Sequence, residues 1–228
     1  MEKPIPIPKL IAVLTGFPML AYLISLLLIN RTIITNFGLD FFNTFWTVII
    51  LWYVVQIFIV SKIMQASGWS WSDIGFTLSK RQTIFYISGF LLTAFGLLIF
   101  IELALANSVV DSEKLQSLSG LTPRTTTSRL IFIFMAFAAG LSEEIVYRGF
   151  AIRALESHNI NKWLAVVIAS IPFVFQHGLK SIDQFWWFLT TGIIFGVIFV
   201  VLKKLTVNIV IHWLVILSAM TAILQAVQ

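Results

Sequence analysis

Apolar residues run through this chain in long unbroken stretches, with no alternation of period two. Stretches long enough to cross a bilayer begin near Leu10, Phe41, Thr83, Leu130, Trp163, Gln184 and Thr206, since about 20 apolar residues cover a hydrocarbon core of about 30 Å. Asn30 and Arg31 close the first stretch, Lys62 the second and Asn107 the third. The fourth covers 129–155 and the fifth 161–178, and Lys203 with Lys204 divides the sixth from the seventh. In lipid only helices and closed barrels satisfy their backbone groups, and continuous hydrophobicity excludes a barrel. The pattern predicts an all-α, polytopic transmembrane helix bundle of about seven spans, or eight, forming one integral membrane domain over 1–228.

Composition agrees. The chain is 59% hydrophobic and 11% charged, against about half and about a quarter in soluble domains. Its net charge of +5 comes from basic residues spread singly among the loops, which suits lipid headgroups and not nucleic acid. With no cysteine, disulfides, thiolate catalysis and thiolate metal sites are all excluded. Lys3 and Lys9 precede the first apolar run without a small-residue cleavage site after it, so an uncleaved first span is expected. A cytoplasmic N-terminus puts Lys62, Lys80, Arg81, Arg153, Lys162, Lys203 and Lys204 inside, and Arg31, Lys114, Arg124, Arg129 and Lys180 outside. The positive-inside rule favours that orientation. Gly192 and Gly196 on the sixth span read as a helix-packing motif, and Trp186 and Trp187 as interfacial aromatics.

The fourth span breaks the apolar pattern with Glu143, Glu144 and Arg148 well inside it. An ionisable group at a helix centre costs about 2.5–3.5 kcal/mol even on the lenient insertion scale, so three of them require a purpose. Glu144 and Arg148 are four apart and share a face, so they can form an ion pair; Glu143 points about 100° away. That leaves Glu143 as a free carboxylate, placed to act as a general base beside the small residues Ala136, Ala139 and Gly140, where a cavity is expected.

Two further spans carry histidine. Ser170, Phe173 and His177 share a face of the fifth, and His212 lies among aliphatic residues of the seventh. His158, in a polar loop, reads as a surface residue. Glu143, His177 and His212 on three helices suit either a divalent metal, Zn first, with an open position for water, or a metal-free arrangement. In the latter the carboxylate deprotonates water and an imidazole stabilises the oxyanion.

At these residues the chain resembles the CAAX protease and bacteriocin-processing family of intramembrane proteases. The matching pieces are Glu143-Glu144-Ile-Val-Tyr-Arg148, then Phe173-Val-Phe-Gln-His177, then His212, with the loop at 68–75 similar to a family linker. The resemblance covers the motif-bearing half, about 129–228. It implies an endopeptidase in which Glu143 activates water, Glu144 and Arg148 support it, and His177 and His212 complete the site. The implied substrate is a peptide or lipidated protein terminus, such as a bacteriocin, pheromone precursor or prenylated tail, and the implied location a bacterial cell membrane. The family pattern also expects Asn or Asp four residues after the last histidine, where this chain has Ile216. Asn208, one turn before His212, is the candidate to supply that amide. Two other readings compete: a non-enzymatic membrane immunity or scaffold protein, and a proton-coupled transporter using the buried acid and imidazoles as a relay.

Overall fold

The structure, a computed structural model, describes residues 3–107 and 121–226; Lys114 lies outside them. The described residues form helices and connecting turns. Long helices are α1 (Ile7–Ser25), α3 (Phe41–Ala66), α4 (Lys80–Ala106), α5 (Thr126–Ser157), α8 (Phe185–Leu202) and α9 (Leu205–Ser218). Between them lie the shorter α2 (Thr32–Thr35), α6 (Lys162–Phe175) and α7 (Lys180–Asp183). Six helices, α9 counted with its 3-10 extension, are long and apolar enough to cross a membrane, and α6 is a shorter apolar helix. The seven expected stretches therefore all appear as helices of an integral membrane bundle.

α5 is the axis. Two-thirds of its apolar window (67%) is buried, against 22–39% in the other long helices, whose outer faces present apolar side chains such as Phe85, Leu92 and Trp186. Without hydrophobic attraction between helices in lipid, close approach depends on small residues. Gly192 and Gly196 lie against Phe173, Ser170 and Val166, pressing α8 onto α6 as the motif predicted.

Gly140 behaves differently from expectation. It does not line a cavity: a Cβ there would stand 2.4 Å from Trp213 Cδ1, because the indole fills that notch. Trp213 stacks on Phe137, meets Phe90 of α4 and donates Nε1–H to the Phe137 carbonyl at 3.1 Å. Ser170 likewise does not face the site, since its hydroxyl donates back to the Val166 carbonyl.

The loop at 68–75 gathers one end of the bundle. Gly75, at φ 76°, accepts from the Leu205 N–H at 3.0 Å, the Asp73 carbonyl accepts from Arg153, and Trp69 donates to the Lys3 carbonyl. His158 is only partly exposed there, its Nε2 lying 2.7 Å from the Ile5 carbonyl, so it ties down the N-terminal segment. Deeper in the bundle, the turn after α6 is clamped by α1: Ser25 Oγ accepts the Leu179 N–H at 3.0 Å and sits against Gly178, whose φ of 59° is open mainly to glycine.

That turn explains how His177 reaches the level of Glu143. Helix α5 runs two residues beyond its expected end, to Ser157, so Glu143 lies 14 residues from it; His177 lies 15 from Lys162 at the start of α6. The two side chains meet with His177 Nε2 3.9 Å from Glu143 Oε2.

Gly140→Ala should destabilise the bundle by about 1–3 kcal/mol through overpacking against Trp213. A lowered thermal midpoint in detergent is the expected reading, and an unchanged one would contradict the close fit.

Candidate active site

Glu143 ends the α-helical part of α5. From Glu144 to Ile152 the helix widens into π geometry, a form that is rare and concentrated at functional sites. All three charged groups are buried, with Glu143 2%, Glu144 0% and Arg148 2% exposed.

Glu144 is satisfied on all sides. Its carboxylate faces Arg148 Nη1 at 3.1 Å, accepts from His212 Nδ1 at 2.8 Å and accepts from Asn208 Nδ2 at 3.2 Å. The Arg148 guanidinium lies 3.9 Å from the centroid of the Phe173 ring and donates to the Gly192 carbonyl at 3.4 Å. The ion pair expected from the spacing is present, and two groups of α9 join it.

Glu143 is held on one oxygen only. Oε1 accepts the Tyr53 hydroxyl at 2.5 Å, while buried Oε2 has no hydrogen-bond partner among the described residues. The expected free carboxylate is thus half free. Facing Oε2 are His212 Nε2 at 3.5 Å and His177 Nε2 at 3.9 Å. Hydrogen-bond partners assign both tautomers: His212 Nδ1 donates to Glu144, and His177 Nδ1 donates to the Phe173 carbonyl at 2.9 Å. In the neutral imidazoles both Nε2 atoms then present lone pairs beside those of Oε2. A water there can donate one proton to Oε2 and the other to one of the two imidazoles.

The donors are of the right type for Zn, but among the described residues no group of three His, Asp or Glu side chains is arranged to hold a metal ion.

A cavity of about 440 Å³ opens beside these atoms, walled by Trp46, Phe188, Phe195, Val215 and Ile216 and reached by Glu143, His177, His212, Tyr53, Gln176 and Lys180. The His177 ring is stacked on Phe188, with centroids 3.6 Å apart. Burial pushes the Lys180 ammonium below its ordinary lysine range.

Glu143, His177 and His212 come together, and Glu144 with Arg148 stands behind them. Asn208 is elsewhere: its Nδ2 is shared between Glu144 and the Phe195 carbonyl at 2.7 Å, so it supports Glu144 and does not face the cavity. Tyr53 escaped the sequence reading. The available signal was a Tyr and a Gln three apart on α3, and Gln56 does join Ser142 (3.0 Å) in fixing α3 to α5.

Residues 125–217, less than half of the chain, match the family model described as type II CAAX prenyl endopeptidase, Rce1-like. The resemblance to the CAAX protease family is borne out over that segment, and the family supports an intramembrane protease. No curated protein and no solved structure gives a significant match. Tyr53 and Ser25 both lie outside the matched segment.

Arg148→Met should cost about 3–5 kcal/mol by leaving Glu144 buried without its cation. Adding Glu144→Gln should recover much of that loss, as read by denaturant unfolding in mixed micelles; equal stability of parent and Arg148→Met would show the pair to be dispensable.

Proposed function

We propose that the protein is an intramembrane endopeptidase that hydrolyses a peptide bond near the terminus of a membrane-associated peptide or lipidated protein, using Glu143 as general base without a metal. The observation that carries this reading is Glu143 Oε2, buried and without a hydrogen bond among the described residues, facing two imidazole nitrogens beside a cavity of about 440 Å³. A structural salt bridge accounts for Glu144 and Arg148 and leaves that arrangement without a purpose. A proton relay would not require the aromatic-walled cavity.

The chemistry follows from the geometry. Water in the cavity donates one proton toward Glu143 Oε2 and the other toward an Nε2 of His177 or His212. As Glu143 takes its proton, the hydroxide attacks the carbonyl carbon and the π pair moves to oxygen. Collapse breaks the C–N bond, and Glu143 returns the proton to the leaving amine. Tyr53 fixes Oε1 so that Oε2 faces the water, and Glu144 keeps His212 in the tautomer that leaves Nε2 bare. The apolar walls favour apolar residues or a lipid chain on the substrate, consistent with a prenylated tail.

Purified protein reconstituted in liposomes with a prenylated C-terminal peptide should cleave it, and Glu143→Gln should lower kcat by about 10²–10⁴-fold, the usual weight of a general base. Cleavage that survives this change sinks the assignment. Activity should also persist in chelator-treated protein shown by elemental analysis to be metal-free; loss on chelation, with recovery on adding Zn, would overturn the metal-free route.

A further inference from the structure

Hydrolysis by this route places negative charge on the former carbonyl oxygen, and preorganised hydrogen-bond donors there are usually the largest single source of acceleration. With both imidazoles neutral, the residues already assigned supply none. His177 and His212 face the cavity with lone pairs, Tyr53 donates to Glu143, and the Asn208 amide is committed to Glu144 and the Phe195 carbonyl. Position 216, four residues after His212, is an isoleucine in the cavity wall.

One amide remains. Gln176 precedes His177 on the clamped turn, is 5% exposed and lines the cavity with Glu143 and both histidines. Its Oε1 accepts the Tyr147 hydroxyl at 2.8 Å. With the Tyr147 hydroxyl donating to this oxygen, the carboxamide nitrogen points away from Tyr147. Among the described residues nothing accepts from Nε2, although both of its protons are donors. Tyr147 is itself 1% exposed and lies one turn beyond Glu143 on α5, so the helix that carries the base also fixes the amide.

The Thr191 hydroxyl turns back to the Trp187 carbonyl, and Gln184 is exposed. Trp46 lies seven residues before Tyr53 on α3, about 10 Å farther along the helix.

Resting on the endopeptidase reading, we infer that Gln176 is a catalytic residue whose Nε2–H donates to the tetrahedral oxyanion, and that Tyr147 is the positioning residue that aims it. The donor comes from the turn after α6, in place of an amide on α9. In the attack step the carbonyl π pair becomes the oxyanion bound to Nε2–H. On collapse the pair re-forms C=O, the C–N bond breaks, and the amine leaves with the proton held by Glu143.

The test is steady-state kinetics on the full chain in liposomes with the same prenylated peptide, comparing the parent with Gln176→Met, Gln176→Leu, Tyr147→Phe and Tyr147→Phe/Gln176→Met. Either Gln176 variant should lose about 10²–10³-fold in kcat, the weight of one oxyanion donor, with KM within about threefold of the parent. Tyr147→Phe should lose about tenfold, and the double variant should be no slower than Gln176→Met, because the two residues act as one unit. Thermal midpoints identify the folded variants; if those at Gln176 do not accumulate, the kcat and KM of Tyr147→Phe decide. Parental kcat in a folded Gln176 variant, or a loss confined to KM, overturns the inference. Glu143-dependent cleavage that persists at the parental rate in Gln176→Met removes this inference alone, whereas absence of Glu143-dependent cleavage in the parent removes the endopeptidase reading with it.

Discussion

The buried ion pair of Glu144 and Arg148 is the constraint around which the bundle is arranged. Charges in a medium of low polarity persist only if each is paired and its remaining hydrogen-bonding capacity is used. Meeting that demand recruits an imidazole and an amide from α9, a carbonyl from α8 and an aromatic face from α6. The same contacts bring His212 and the turn carrying His177 up to Glu143. Electrostatic satisfaction of one carboxylate thus aligns the neighbouring one, whose second oxygen is left unsatisfied.

Much of this was legible in the sequence, because bilayer physics permits few alternatives. A run of apolar residues must be a helix, and a charge within it must have a partner, so the seven helices and the Glu144 to Arg148 contact follow from spacing alone. Glu143, His177 and His212 could be grouped because acids and imidazoles are costly at that depth. Asn208 was placed on the correct helix face, but a face does not determine which neighbour an amide meets, and Glu144 claims it.

What stayed hidden depends on tertiary contact. Tyr53 resembles many tyrosines of apolar helices until α3 docks on α5. Gly140 appeared to be space and is filled by an indole from α9. The π segment from Glu144 to Ile152 has no sequence signature available here, yet it holds Tyr147 and Arg148 as they face Gln176 and Glu144. Gln176 sat inside the motif itself, unremarkable until its carboxamide was seen to be held at one end and free at the other.

The clamp between Ser25 and the turn at Gly178 has a consequence for biogenesis. α1 grips the histidine turn, α3 contributes the tyrosine, and α9, made long after both, delivers the second histidine. No nascent intermediate holds all the pieces. The site is therefore complete only in the assembled bundle, and a partly inserted chain passing among other membrane proteins carries Glu143 without its tyrosine and histidine neighbours.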